Sequence, residues 1–538
     1  MGNRLALISI IFSLLYAGTV FNFYNLQIQK GDYYLTRAES QRVLSGELEP
    51  ERGSIFFTDA GQNLVPAAIK RYQPVIYAVP KEIADCAEAA AAIAPILGQP
   101  AEEIARKINR PELSYQILEK KATDEQVRRT ETLGLRGVYV GEEAVRFYPN
   151  GSLASHILGF VTDKIGKYGA ESFYNDKLAG EEGRMNGEKI IPPRNGADVR
   201  LTIDRNVQSA AEQILGKLVV DYKAEKGMIA AMETKTGAIL AMAVKPDFDP
   251  NNYGGYPLEN FLNPFIQAIY EPGSVFKLIT MSAGIDSGKI TPETEYDDIG
   301  RVVLNGHAIM NWDKKAHGRI NMTTVLEQSL NTGSTFAEMT MGHQIFYDYL
   351  SRFGFERKTG IDAPGEVIGN VKIIKNGKDI DFATASFGQG IAITPIQLLT
   401  AVNAIANRGL MVKPHLIQEK TEELSRPITE ETSREIIGMM VSAVEKGQMA
   451  KISGYTVAGK TGTAQVPDLK KGGYTADVIN SYIGFVPAYD ARFVILVRLD
   501  RPEGAPLAGI TVTPAFRELA QFMLNYYKVA PDKIVSGG

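Results

Sequence analysis

Cysteine is almost absent: Cys86 is the only one in 538 residues, so no disulfide can close within the chain. Histidine is nearly as scarce. Five scattered residues leave too few ligands for a structural zinc site of the usual Cys/His kind. Neither sign of charge dominates, because 58 lysines and arginines stand against 62 aspartates and glutamates. The net charge of −4 gives no electrostatic reason to expect nucleic acid. Internal repeats are also missing. What is present is the composition of a globular protein, 44% hydrophobic and 22% charged. The length exceeds one ordinary core, so two or three folded units are expected.

One stretch is strongly biased. Leu5 to Phe23 carries no charge, and at helical rise it roughly crosses the ~30 Å hydrocarbon core of a bilayer. Arg4 precedes it, while Tyr16, Phe21, Phe23 and Tyr24 supply interfacial aromatics near its far end. Bulky FNFYNLQ follows in place of a small-x-small cleavage site, which favours an uncleaved signal anchor over a removed signal peptide. The expectation is a single-pass protein of the cell membrane whose bulk lies outside the cytoplasm. A lone cysteine is safe there from mispairing within its own chain.

Beyond the anchor, residues 26–50 are polar and helix-prone. ERGSIFFTDAGQNLV (51–65) predicts two short strands around Asp59-Ala60-Gly61. Lys81 to Leu133, rich in Ala, Glu and Lys, predicts a largely helical region. IIPPRNGADVR (190–200) predicts a linker, because its prolines stop regular structure. LTIDRNVQSAAEQILGKLVVDY then predicts a strand running into an amphipathic helix. GMIAAMETKTGAILAMAV predicts a hairpin turning at Thr234–Gly237, and residues 478–500 a second strand pair. Strands at both ends with helices between suggest an antiparallel sheet packed by helices. The tail PDKIVSGG looks frayed.

Three short signatures stand in one order: Ser274-Val-Phe-Lys277, Ser329-Leu-Asn331 and Lys460-Thr461-Gly462. Ser274 is the only serine followed three places later by lysine, and Ser329 the only one followed two places later by asparagine. Lys-Thr-Gly is not specific, since it recurs at Lys235-Thr236-Gly237 and Lys358-Thr359-Gly360. The copy at 235 sits in a hairpin turn. The copy at 358 follows IFYDYLSRFGFERK and predicts a glycine exit from a helix. The copy at 460 follows the serine motifs inside YTVAGKTGTAQV, which can be a strand.

Serine hydroxyls are weak nucleophiles and need a base. EPGSVFKLITMSAGI predicts a tight turn opening a helix, with Ser274 in its first turn and Lys277 on the same face. The helix N-terminus favours the negative charge that develops on an attacked carbonyl. Lysine acts as a base only when neutral, so burial and a second cation have to depress its pKa; Lys460 can be that cation. The blander alternatives are that Ser274 is an N-cap, and that Ser329 and Asn331 cap the helix after TTVLEQ.

Together these residues resemble the class B penicillin-binding proteins, the peptidoglycan D,D-transpeptidases. The resemblance extends over nearly the whole chain. It takes in the anchor, Arg52-Gly53-Ser54-Ile55, Arg146-Phe-Tyr-Pro149, His156-Ile-Leu-Gly159, Tyr270-Glu-Pro-Gly-Ser-Val-Phe-Lys277, Ser386-Phe-Gly-Gln-Gly-Ile391, Thr394-Pro395-Ile-Gln397 and Lys460-Thr-Gly-Thr-Ala464. Tyr168-Gly-Ala-Glu171 is a variant of the family's Gly-Leu-Glu run. The resemblance implies a multidomain protein with one transmembrane helix (1–25) and an α+β non-catalytic pedestal of the dimerisation type (26–195). A penicillin-binding transpeptidase domain (196–530) of the serine β-lactamase-like α/β fold follows, then a tail (531–538).

By that resemblance Ser274 is acylated by a stem peptide with loss of D-Ala, and a neighbouring amine resolves the acyl-enzyme into a cross-link. Lys277 is then the general base. Ser329 passes protons, Asn331 binds the substrate amide, and Lys460 supplies positive potential. Thr461 and Thr463, flanking Gly462, grip the terminal carboxylate. Backbone N–H groups of Ser274 and Thr463 form the oxyanion hole. The implied partners are stem peptides on lipid-linked nascent glycan, β-lactams and a polytopic glycosyltransferase; no cofactor or metal is implied. The SFGQGIAITPIQ run and the YEPGSVFK context look more like the septal, division-specific enzymes than the elongation ones. A D,D-carboxypeptidase or β-lactamase-like hydrolase shares the motifs, but the long pedestal argues against it. A scaffold that had lost a motif residue, or a multi-span β-lactam sensor, fits less well.

Overall fold

A computed structural model describes residues 12, 15–19, 24 and 49–533, apart from 112, 114, 187–188, 419–420, 448, 469 and 505–506. The anchor segment, the helix-prone stretch up to residue 48 and the last five residues of the tail lie mostly or wholly outside that set. Among the described residues no helix is long and apolar enough to cross a membrane.

Backbone contacts divide the chain into two compact units, residues 1–54 with 174–199 and residues 55–173 with 200–538. In the first, Gly53 N–H donates to Leu178 O at 2.8 Å and Gly196 N–H to Glu51 O at 2.8 Å. Among the described residues the second contains two five-stranded sheets and several two-stranded ones.

The first sheet begins with the expected hairpin, β1 (Ile55–Thr58) and β2 (Val65–Ala78). Asp59 Oδ1 fixes the turn by accepting from Gly61 N–H at 2.8 Å and Asn63 N–H at 2.9 Å. Helices α1 (Cys86–Leu97) and α2 (Ala101–Ile108) follow. Then comes a correction to the helical expectation for 81–133, because β3 (Gln116–Glu119) interrupts it. Buried Leu118 joins Ile76, Ile93, Ile104 and Ile108 in one apolar cluster, and pairing with β2 outweighs local helix propensity. Helix α3 (Asp124–Leu133) starts at a Thr123/Gln126 capping box. With β4 (Val138–Phe147) and β5 (Val199–Asp204), the order is β3-β2-β1-β5, with β4 also on β2. The RFYP motif and the YGAE variant meet here. Arg146 Nε donates to Glu171 Oε1 at 2.6 Å, and the fully buried Glu171 also accepts from Tyr148 OH at 3.2 Å.

Helix α4 (Arg205–Asp221) leaves β5 through Asp204, whose Oδ1 accepts from Asn206 N–H and Val207 N–H. The second sheet comprises β6 (Lys226–Glu233), β7 (Ile239–Lys245), β8 (Ala458–Pro467), β9 (Tyr474–Val486) and β10 (Phe493–Asp500). Its order is β7-β6-β10-β9-β8, antiparallel throughout, so β8 is an edge strand. Ile229, Ala231, Phe493, Ile495, Val497 and Tyr482 alternate onto one face, where α4 and the C-terminal helix Val512–Tyr526 cover them. Across the other face lie helices buried on nearly every side, among them Lys277–Asp286 and Pro395–Ala406. Such helices belong to an interior.

Of the two extra Lys-Thr-Gly copies, the one at 235 turns the β6–β7 hairpin as expected. The one at 358 does not end a helix. His343–Arg352 stops earlier, at Gly354 (φ 80°), and Thr359 instead donates from N–H and Oγ1 to Glu366 Oε1 in a loop.

Candidate active site

The turn carrying Ser274, Gly273–Phe276, is a single 3₁₀ turn that runs straight into α5 (Lys277–Asp286). Pro272 occupies the position before it, and no side chain caps it, so Ser274 is not an N-cap. Its side chain is half-buried, whereas Lys277 one turn on is fully buried. The Ser386-Phe-Gly-Gln-Gly-Ile391 run lies directly behind this turn. Gly273 N–H donates to Gly388 O at 3.0 Å, and a Cβ on Gly388 (φ 79°) would stand 2.3 Å from Gly273 O. Only glycine fits there. Nearby, Glu271 Oε1 accepts from Gly390 N–H at 3.1 Å and Tyr270 exchanges backbone bonds with Ile393.

The second motif joins two helices. Helix α6 (Met322–Gln328) ends at Ser329, which takes the left-handed conformation (φ 59°, ψ 44°), and α7 (Asn331–Met341) begins two residues later. Ser329 therefore terminates a helix and caps no N-terminus, which corrects that alternative. The sharp reversal brings three groups onto Lys277. Its Nζ donates to Ser329 O at 2.7 Å and Asn331 Oδ1 at 2.8 Å, and lies 3.5 Å from Ser329 Oγ.

The third motif arrives on β8. Lys460 Nζ donates to Ser329 Oγ at 2.9 Å and to Thr461 O at 2.9 Å. Lys460 and Gly462 share the face toward Ser274: a Cβ on Gly462 would lie 3.0 Å from Val275 Cγ1. Thr461 and Thr463 alternate to the other face. There Thr463 Oγ1 donates to Asn480 Oδ1 at 3.2 Å and accepts from Ala508 N–H at 3.3 Å. The structure thus brings Ser274, Lys277, Ser329, Asn331, Lys460 and Gly462 to one place, with Thr461 and Thr463 flanking the strand edge.

Electrostatics follow from burial. Desolvation, then the charge on Lys460, hold the Lys277 amine well below the usual lysine range. Desolvation lowers Lys460 to about 7. A neutral lysine keeps two N–H donors and one lone pair. At Lys277 both donors have acceptors in Ser329 O and Asn331 Oδ1, so the lone pair is left over for a third direction.

Residues 227–521 match the penicillin binding protein transpeptidase domain, and residues 47–190 match the penicillin-binding protein dimerisation domain. The chain belongs to the penicillin-binding protein transpeptidases. It is 33% identical to stage V sporulation protein D of Bacillus subtilis, over 94% of this chain and 83% of that one. Identity to peptidoglycan D,D-transpeptidase FtsI of Escherichia coli K12 is 28%, over 95% and 90%. The crystal structure of penicillin-binding protein 3 from Mycobacterium tuberculosis, complexed with aztreonam, superposes with a TM-score of 0.70 at 25% identity, over 90% of this chain and 98% of that one. Sequence reasoning missed a segment, Met310–Trp312, at the end of the strand His307–Met310, that grips the second motif; no motif or spacing announces it.

Proposed function

We propose that this penicillin-binding protein is a peptidoglycan D,D-transpeptidase acylated at Ser274. Ser274 Oγ attacks the carbonyl of the D-Ala–D-Ala bond while its proton passes to the Lys277 lone pair. The tetrahedral oxyanion is met by the N–H groups of Ser274 and Thr463. Collapse breaks the peptide bond, and the leaving D-Ala amine takes a proton returned from Lys277 through Ser329 Oγ. A neighbouring strand's amine then attacks the ester, gives up its proton along the same path and releases Ser274. The observation that carries this reading is the spent pair of Lys277 donors, which leaves its lone pair for the serine. Lys460 supplies the positive field, Asn331 meets the substrate amide, and Thr461 and Thr463 hold the terminal carboxylate at the strand edge. A β-lactam enters the same cycle by ring opening and stops at the acyl-enzyme.

Residues 26–195 serve as pedestal and 196–530 as catalytic domain, with an anchor in 1–25 and a tail in 531–538. Anchor and pedestal support partnership with a membrane glycosyltransferase in septal wall synthesis. Labelling with a fluorescent penicillin tests the nucleophile. The native chain should label covalently and Ser274→Ala should not; persistent covalent label in the variant refutes the assignment. Depletion in cells tests the setting, since filaments support division and rounded cells defeat it. The sporulation name of one relative favours a second setting for the same chemistry, which a defect confined to sporulation would select.

A further inference from the structure

Three consecutive residues hold the second motif, each at a different point. Asn331 Nδ2 donates to Met310 O at 3.0 Å. Asn311 Oδ1 accepts from Thr332 N–H at 3.2 Å and lies 2.8 Å from Thr332 Oγ1. Trp312 Nε1 donates to Gln328 O at 3.0 Å. The motif Ser329-Leu-Asn331 is therefore clasped from the last residue of α6 to the second residue of α7.

The clasp has its own foundation. Asn311 Nδ2 donates to Asp298 Oδ2 at 2.8 Å and Lys315 O at 3.2 Å, and Thr332 Oγ1 lies 2.8 Å from Asp298 Oδ1 and 3.1 Å from Tyr296 OH. Asp298, Asn311 and Thr332 are 2%, 2% and 1% exposed, so this polar network is buried. Such networks rigidify what they hold when their members are satisfied. Trp312 is 61% exposed and fills no core; its ordered feature is the bond to Gln328.

An amide side chain has two orientations, and its surroundings choose between them. Here Oδ1 of Asn331 faces the Lys277 amine and Nδ2 faces the Met310 carbonyl. Turned over, Oδ1 would meet a carbonyl oxygen and Nδ2–H would meet Lys277. The amine would then accept from Asn331 through the very lone pair that Ser274 needs. We propose that Asn311 and Trp312 are positioning residues: the Met310–Trp312 clasp fixes the orientation of Asn331 and so keeps the Lys277 lone pair on Ser274.

This inference rests on Lys277 being the base, and its test separates the two. Stopped-flow acylation of the full chain by a fluorescent penicillin resolves non-covalent binding from the acylation step. Trp312→Phe keeps the exposed ring but loses its donor, and should slow acylation by about fivefold. For Asn311→Ala the expected loss is about tenfold or more, with unchanged non-covalent affinity and a displaced acid limb of the pH–rate profile. In an Asn331→Ala background the same Asn311→Ala change should cost less than about twofold, because the residue acts through Asn331. Normal acylation rates in both single variants, or equal costs with and without Asn331, overturn the proposal. Should Asn311→Ala not fold, Trp312→Phe alone decides. Lys277→Ala is measured in parallel. Normal acylation there removes the base assignment itself, whereas an inert Lys277→Ala beside unaffected clasp variants removes only the clasp.

Discussion

At the scale of residues, two buried amines share one serine hydroxyl and differ in task. In the proposed mechanism Lys277 has to be neutral to accept the Ser274 proton, and its pKa is lowered by burial and by Lys460. Lys460, lowered to about 7, has to keep its charge if, as proposed, it draws a carboxylate. Acylation should therefore rise with pH through the depressed Lys277 pKa and decline as Lys460 loses its proton above about 7, giving a bell. Lys277→Ala should retain non-covalent β-lactam binding but lose acylation; near-normal acylation rates would point to another base. Lys460→Met removes the neighbouring charge, so the acid limb should move to higher pH. An acid limb that stays in place would mean that desolvation alone tunes Lys277.

At the scale of elements, the site is a convergence of a 3₁₀ turn, a helix junction and an edge strand, held close by glycines. Ala at position 388 would combine a positive φ with a Cβ against Gly273 O. We expect Gly388→Ala to lose more than about 1 kcal/mol in denaturant unfolding and to slow acylation, because the turn carrying Ser274 must shift. Wild-type stability and rate would show that the turn does not depend on this contact. Much of this scale was legible in the sequence. Continuous apolar runs marked β6, β7, β9 and β10, and the Ser-x-x-Lys, Ser-x-Asn and Lys-Thr-Gly motifs marked the segments that converge. The strand at Gln116–Glu119 was not legible, because four residues beside helix-forming neighbours become a strand only once β2 offers a partner. Nor was the role of the copy at Lys358-Thr359-Gly360, since the helix already ends at Gly354, well before Gly360. The Met310–Trp312 clasp works through backbone carbonyls, one buried asparagine and the Trp312 indole N–H, and these form no motif in the sequence.

At the scale of the whole molecule, β5 ties the first sheet to the catalytic one: Thr202 Oγ1 donates to Ile239 O at 2.7 Å, while Thr58 Oγ1 reaches Ile203 O at 3.3 Å. The same fold carries the burden of its buried amines. Lys460 titrates near 7 when folded and near the ordinary lysine value of 10.5 when unfolded. Between those values the unfolded chain binds more protons, so stability from this group rises as pH rises. Lys460→Met should accordingly be more stable than wild type at pH values below about 7, with the gap closing toward pH ~10. Thermal melts across that range check it; a gap constant with pH would remove the linkage.

Ser329 extends that tension into the history of the sequence. Its left-handed backbone is a conformation that costs a non-glycine residue roughly 1–2 kcal/mol. Ser329→Gly should raise the melting temperature and at the same time slow acylation, by removing the hydroxyl that Lys460 holds. Drift under selection for foldability alone would thus move this position toward glycine. Its serine persists only while something outside the folding equilibrium, a wall that must be cross-linked, keeps rejecting the more stable protein.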